Sequence, residues 1–131
     1  MPEFISRPEG LSAANGYSHV AIAGPLLFVS GQVPVLADGT VVGTGDVEAQ
    51  VDQVFRNIAC ALTAADVTWS QVVKLTYFIL DIADLATVRA VRDRYIDLTA
   101  PPASTLVQVS ALVNPAFRVE IDAVAVRGTG G

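Results

Sequence analysis

The ten residues 117–126 alternate as only a β-strand with two unlike faces would. Phe117, Val119, Ile121, Ala123 and Ala125 fall on one side, and Arg118, Glu120, Asp122, Val124 and Val126 on the other. A wholly apolar strand face must be roofed by another layer, and helices are the available one. The opposite face is half polar and half apolar, which does not match plain solvent surface. It predicts a face covered by another subunit, with polar pockets in the contact, and most such assemblies are closed and symmetric. A strand over 104–110 is expected to repeat the division, with Thr105, Val107 and Val109 inward and Ser104, Leu106, Gln108 and Ser110 outward.

The roofing helices are legible from their period. Asp46 is a good N-cap and Glu48 stands where the helix dipole favours negative charge. Val47, Val51, Val54, Phe55, Ile58, Leu62 and Ala65 then recur at helical spacing, with Gln50, Asp52, Gln53, Arg56 and Asn57 assigned to the other faces. A second helix is expected to begin at an Asp84 cap. Its inner stripe is Leu85, Val88, Val91, Tyr95 and Leu98, its outer face carries Arg89, Arg92, Asp93, Arg94 and Asp97, and Pro101-Pro102 stop it.

Strands are expected at 18–23 and 26–30, joined at Gly24-Pro25, at 71–80, and as a short piece at 4–7. The order is β-β-α-β-α-β-β. Helical crossovers favour parallel pairing, so the fold class is α+β: a mixed sheet with both helices on one face. Residues 1–131 read as one domain, with 128–131 as a loose tail.

Composition narrows the function classes. Thirteen acidic residues oppose eight basic ones, a formal charge of −5, which argues against nucleic acid and anionic membrane as partners. The chain is 52% hydrophobic and 16% charged, a surplus of apolar surface that a second copy would cover. The apolar stretch 20–33 is broken at Gly24-Pro25 and Ser30-Gly31-Gln32, too short and interrupted to span a bilayer. A lone Cys60 excludes an intrachain disulfide, and residues 1–10 lack the apolar core of a signal peptide, so the expected address is the cytoplasm. His19 has neither metal-ligand companions nor a triad partner and is expected to be structural. Gly43-Thr44-Gly45 lacks the third glycine of a phosphate cradle.

Several stretches occur together in a familiar order. They are Gly16-Tyr17-Ser18, Ser30-Gly31-Gln32-Val33-Pro34, Gln50 with Asn57, Val72-Val73-Lys74-Leu75-Thr76 before Phe78 and Asp81, Pro102-Ala103, and Val119-Glu120-Ile121. In these the chain resembles the Rid family, also called YjgF or L-PSP proteins, over nearly its whole length. The resemblance implies a chorismate-mutase-like fold, a homotrimer and three clefts between subunits. For members of the RidA type it also implies hydrolysis of reactive enamines and imines, such as 2-aminoacrylate, to a keto acid and ammonia. No metal or organic cofactor is implied.

Tyr17, Ser30, Gly31 and Glu120 match the family's cleft. Ser104 stands where the RidA type carries the Arg that grips a substrate carboxylate, Arg89 and Arg92 replace an Asn and a Tyr, and Leu106 replaces a Cys. Glu120 is therefore the expected proton-moving residue, since a carboxylate in a partly dry cleft has its pKa raised toward neutrality. Tyr17, Ser30, Gly31, Ser104 and Arg118 are the expected ligand contacts, with Arg118 the nearest cation to replace the missing Arg. Two readings follow: a cofactor-free imine or enamine hydrolase, and a non-catalytic trimer that binds or senses a small metabolite.

Overall fold

The computed structural model describes residues 1–128. The elements run β1 (Glu3–Ile5), β2 (Val20–Ala23), β3 (Leu26–Gln32), α1 (Val47–Ala64), β4 (Val72–Ile79), α2 (Leu85–Arg92), β5 (Ala103–Gln108) and β6 (Val119–Val126). The fold is α+β, a six-stranded mixed sheet in the order β1-β2-β3-β6-β4-β5 with both helices over one face. Only β4 and β5 pair in parallel; β6 lies antiparallel between β3 and β4. The chain thus reaches β4 from β3 through α1, leaving a gap that β6 fills last. Of the expected tail, Gly128 is exposed and the rest lies outside the described residues. No helix among them is long and apolar enough to cross a membrane.

The alternation of β6 holds residue by residue. Phe117, Val119, Ile121, Ala123 and Ala125 are buried, and Glu120, Asp122, Val124 and Val126 face the other way, only partly covered. Under the helices the core joins Val51, Val54, Phe55, Ile58 and Leu62 of α1 to Leu27, Leu75, Ile79 and Ile121 of the sheet. Asp46 caps α1 as expected, accepting the Ala49 N–H at 3.1 Å.

Three local expectations change. Gln50 and Asn57 do not lie on an outer face; both are buried. Gln50 donates to the Ala116 carbonyl and accepts the Arg118 N–H, while Asn57 Nδ2 donates to the carbonyls of Val33 and Val35 at 3.0 Å each. Each side chain supplies hydrogen bonds that an irregular segment cannot make with itself. Asn57→Ala strands those two carbonyls and is expected to cost about 2 kcal/mol, seen as a lower urea midpoint at unchanged m-value.

The second helix ends at Arg92 rather than at Pro101-Pro102. Residues 93–100 continue as turns, and Leu98 is more than half exposed. Tyr95 still packs inward, stacked on Phe55 with ring centroids 5.0 Å apart. Asp84 makes no capping hydrogen bond. Asp81 caps the preceding turn instead, and Asp84 turns to Arg118.

Strand β5 has the opposite phase to the expected one. Beside β4 it sets Ser104 against Leu75 and Leu106 against Tyr77, both on the helix side, and Thr105 against Thr76 and Val107 against Phe78 on the open side. Neighbouring residues in a ladder share a face, and Leu75 and Tyr77 are buried. Lys74 donates to the Thr105 hydroxyl across the open side.

Candidate active site

The open face of the sheet divides into an apolar and a polar part. Phe28 pairs with Val124 and Leu26 with Val126, forming the apolar end. Thr76 lies opposite Asp122 and Phe78 opposite Glu120 at the other. Between them β3 is irregular: Val29 pairs with Ala123 and Gln32 with Ile121, so three steps on β3 match two on β6. This one-residue bulge sets the Gly31 backbone against the Glu120 carboxyl, the use to which bulges beside functional sites are put.

Gly31 is needed for contact. A Cβ there would stand 2.9 Å from Glu120 Cδ and 3.1 Å from Cγ, with Oε2 nearer still. The Glu120 carboxyl therefore lies directly over bare backbone. Burial, and then the neighbouring Asp122 charge, push its pKa above the ordinary carboxylate value. Among the described residues no cation pairs with Glu120. Asp122 is raised too, chiefly by burial, with Thr76 and Lys74 opposing.

The bulge is held by a buried relay. Ser30 Oγ donates to the Ser18 carbonyl at 2.6 Å, and Gln32 Nε2 donates to the Ser30 carbonyl and to His19 Nδ1, both at 3.0 Å. His19 Nε2 donates to the Ser12 carbonyl at 2.8 Å. Both ring nitrogens are thereby occupied, with the proton on Nε2, and His19 is a strut. Tyr17 stands edge-on to His19 at 5.5 Å and is half exposed. Tyr17, Ser30, Gly31 and Glu120 thus belong to one neighbourhood, linked through His19 and the bulge.

Ser104 and Arg118 are placed apart from it. The Arg118 guanidinium donates to Asp84 at 2.8 Å, and its buried Nε has no hydrogen-bond partner among the described residues. Arg118, the cation expected to replace the missing Arg, therefore faces Asp84 and does not line the pocket at Ser104. Ser104 lines a pocket of about 230 Å³ on the helix side, together with Tyr77, Arg92, Leu75, Ile96 and Pro102.

Arg92 was assigned to a solvated outer face, yet it reaches this pocket from the last turn of α2. The signal was present: Leu85, Val88 and Arg92 stand at i, i+3 and i+7, one face of a helix. Tyr77, which reads as core by its period, brings a hydroxyl that nothing in the sequence marks as unpaired.

Comparison with known proteins identifies the family and the fold. Residues 7–127 match the family described as Endoribonuclease L-PSP. A RutC family protein of Synechocystis is 38% identical over 128 residues, covering 97% of this chain and 98% of the relative. The 2-iminobutanoate/2-iminopropanoate deaminase of Rattus norvegicus is 32% identical, over 95% of this chain and 89% of its own. The crystal structure of Escherichia coli TdcF with bound serine superposes with a TM-score of 0.84 at 30% identity, covering 96% of this chain and 99% of that one. With the sheet order, the bulge and the match reaching from Arg7 to Arg127, the chain belongs to the L-PSP family, whose members include the YjgF and Rid proteins.

Proposed function

We propose that this protein is a cofactor-free hydrolase of small reactive enamines and imines, working in clefts between the subunits of a homotrimer. The observation that carries the reading is the Glu120 carboxyl over the bare backbone of Gly31, partly buried and without a cationic partner. A carboxyl whose pKa is raised by burial and by Asp122 suits a reaction that must both take and return a proton.

For an enamine, the terminal carbon first takes a proton from solvent, giving the iminium. Water then adds to the iminium carbon as Glu120 accepts one of its protons; the C–O bond forms and the C=N electron pair moves to nitrogen, giving the neutral carbinolamine. The nitrogen takes the proton back from Glu120 and leaves as ammonia as the C–N bond breaks, while the hydroxyl releases its proton to solvent and the carbonyl remains. Water is consumed, and nothing is oxidised or reduced. Ser30 and Gly31 provide backbone along which a small planar substrate lies, and Tyr17 covers it.

The apolar half of the open face supplies the subunit contact. Phe28 and Leu26 are each about two-fifths exposed in the protomer, beside Val124 and Val126. Sedimentation is expected to give about three times the 13.7 kDa chain. Phe28→Asp, which places a charge in that contact, should shift the mass to that of the single chain; an unchanged trimer would remove this face from the assembly.

The deciding assay generates 2-aminoacrylate and a series of 2-imino acids in situ and follows their loss. Hydrolysis faster than buffer by orders of magnitude is the expected result. Ser104, in the place of the family's carboxylate-gripping Arg, favours the second reading, a trimer that binds a small metabolite without turning it over. Wild type no faster than buffer, with Ser104→Arg gaining activity, would establish that one instead.

A further inference from the structure

The helix-side pocket at Ser104 holds a feature that folding does not explain. Tyr77 is 2% exposed and its hydroxyl is buried without a hydrogen-bond partner among the described residues, although the ring lines a pocket with room for a ligand. A buried donor left unmade is costly, and native structures rarely keep one without a use. Burial raises the Tyr77 pKa to about 12, so the group is a neutral donor at any physiological pH.

Beside it lies a guanidinium with capacity to spare. Arg92 is about one-quarter exposed, and both its Nε and one Nη meet a single oxygen of Asp93, at 2.9 and 2.8 Å. That contact uses one edge of the fork and leaves further N–H groups to bind a second anion. The remaining walls, Leu75, Ile96, Leu98 and the two prolines, are apolar.

We propose that Arg92 and Tyr77 together form the carboxylate grip of this protein, selecting a small organic acid with a branched apolar body that lies along Leu75 and Ile96. This goes beyond the proposed function, because the pocket lies on the helix side of the sheet, apart from Gly31 and Glu120. Arg92 and Ser104 line the same pocket. The small serine leaves the space that the acid's head group needs to reach Arg92.

The test separates grip from turnover by using an unreactive pair, 4-methylpentanoate and 4-methylpentanamide. They have the same shape and differ in charge. Binding is followed by isothermal titration and by chemical shifts of the pocket residues, using the full-length protein. Wild type is expected to bind the acid about 10- to 100-fold more tightly than the amide, the gain of a charge-assisted pair.

Arg92→Met keeps the aliphatic stem and should erase that preference. It is made in an Asp93→Asn background, so that no unpaired carboxylate is left beside the pocket. Tyr77→Phe, which removes only a hydroxyl, should weaken the acid several-fold. Arg118→Met and Glu120→Gln should both keep the preference. Equal binding of acid and amide by wild type, or a preference that survives Arg92→Met and vanishes in Arg118→Met, overturns the assignment. Acid binding with no imine hydrolysis would sink the hydrolase and leave the grip standing, and hydrolysis without acid preference would do the reverse.

Discussion

On the proposed reading, Glu120→Gln is expected to lower kcat/KM for 2-aminoacrylate by about 10²- to 10⁴-fold, the range that one positioned acid–base group supplies. The amide keeps the shape that packs over Gly31 and cannot exchange a proton, so the loss should fall on kcat more than on KM. A rate within threefold of wild type would remove Glu120 from the chemistry.

The same substitution has a stability signature of opposite sign. The folded-state pKa of Glu120 lies above its ordinary 4.5, because burial and Asp122 disfavour the charged form. Between those two values the folded chain binds more protons than the unfolded one, so stability falls as pH rises through that window. The glutamine variant has no such group to ionise. It is expected to melt above wild type at neutral pH and level with it at a pH below the ordinary carboxylate value. Thermal melts at the two pH values read this directly, and a variant less stable than wild type at pH 7 would contradict the burial argument. Losing activity while gaining stability is the pattern of a group kept in an unfavourable place for function.

Gly31→Ala is the second large effect. Its Cβ would intrude on the Glu120 carboxyl, with Cδ at 2.9 Å, so the carboxyl has to move by around an ångström. Displacements of that size at a reacting centre cost about 10²-fold in rate. The obstacle is the end of a side chain on an open face and can swing aside, so the fold should survive, with the sedimentation mass and circular dichroism unchanged. Activity near that of wild type would mean that the contact between Gly31 and Glu120 does not position the reacting group. Pairing Gly31→Ala with Glu120→Gln sharpens the result: if both act through one carboxyl, the double variant is no worse than Glu120→Gln alone.

How much was legible beforehand differs from strand to strand. On β6 one set of alternate residues is wholly apolar and the other is not, so only one phase buries a continuous face; Glu120 is placed outward by elimination. On β5 the two sets, Ser104-Leu106-Gln108 and Thr105-Val107, are equally mixed, and nothing local chooses between them. The choice is made by pairing with β4 at the sheet edge, and it puts Ser104 with Leu75 on the helix side. Gln50 and Asn57 were misassigned for a related reason. A buried amide whose partners are the carbonyls of residues 33, 35 and 116 looks in sequence like any exposed polar residue.

The chain's own pattern therefore determined part of the layering: which face of β6 lies under the helices, where α1 starts and which carboxylate looks outward. Period and polarity are local, and burial acts on them directly. Which charges meet was decided only when the elements packed. Arg118 is taken up by Asp84 thirty-four residues away, Arg92 turns into a pocket with Tyr77, and the bulge in β3 brings Gly31 under Glu120. Such contacts join residues far apart in the chain, and the range of a side chain is a few ångströms, so their partners exist only once the tertiary fold has set the elements side by side.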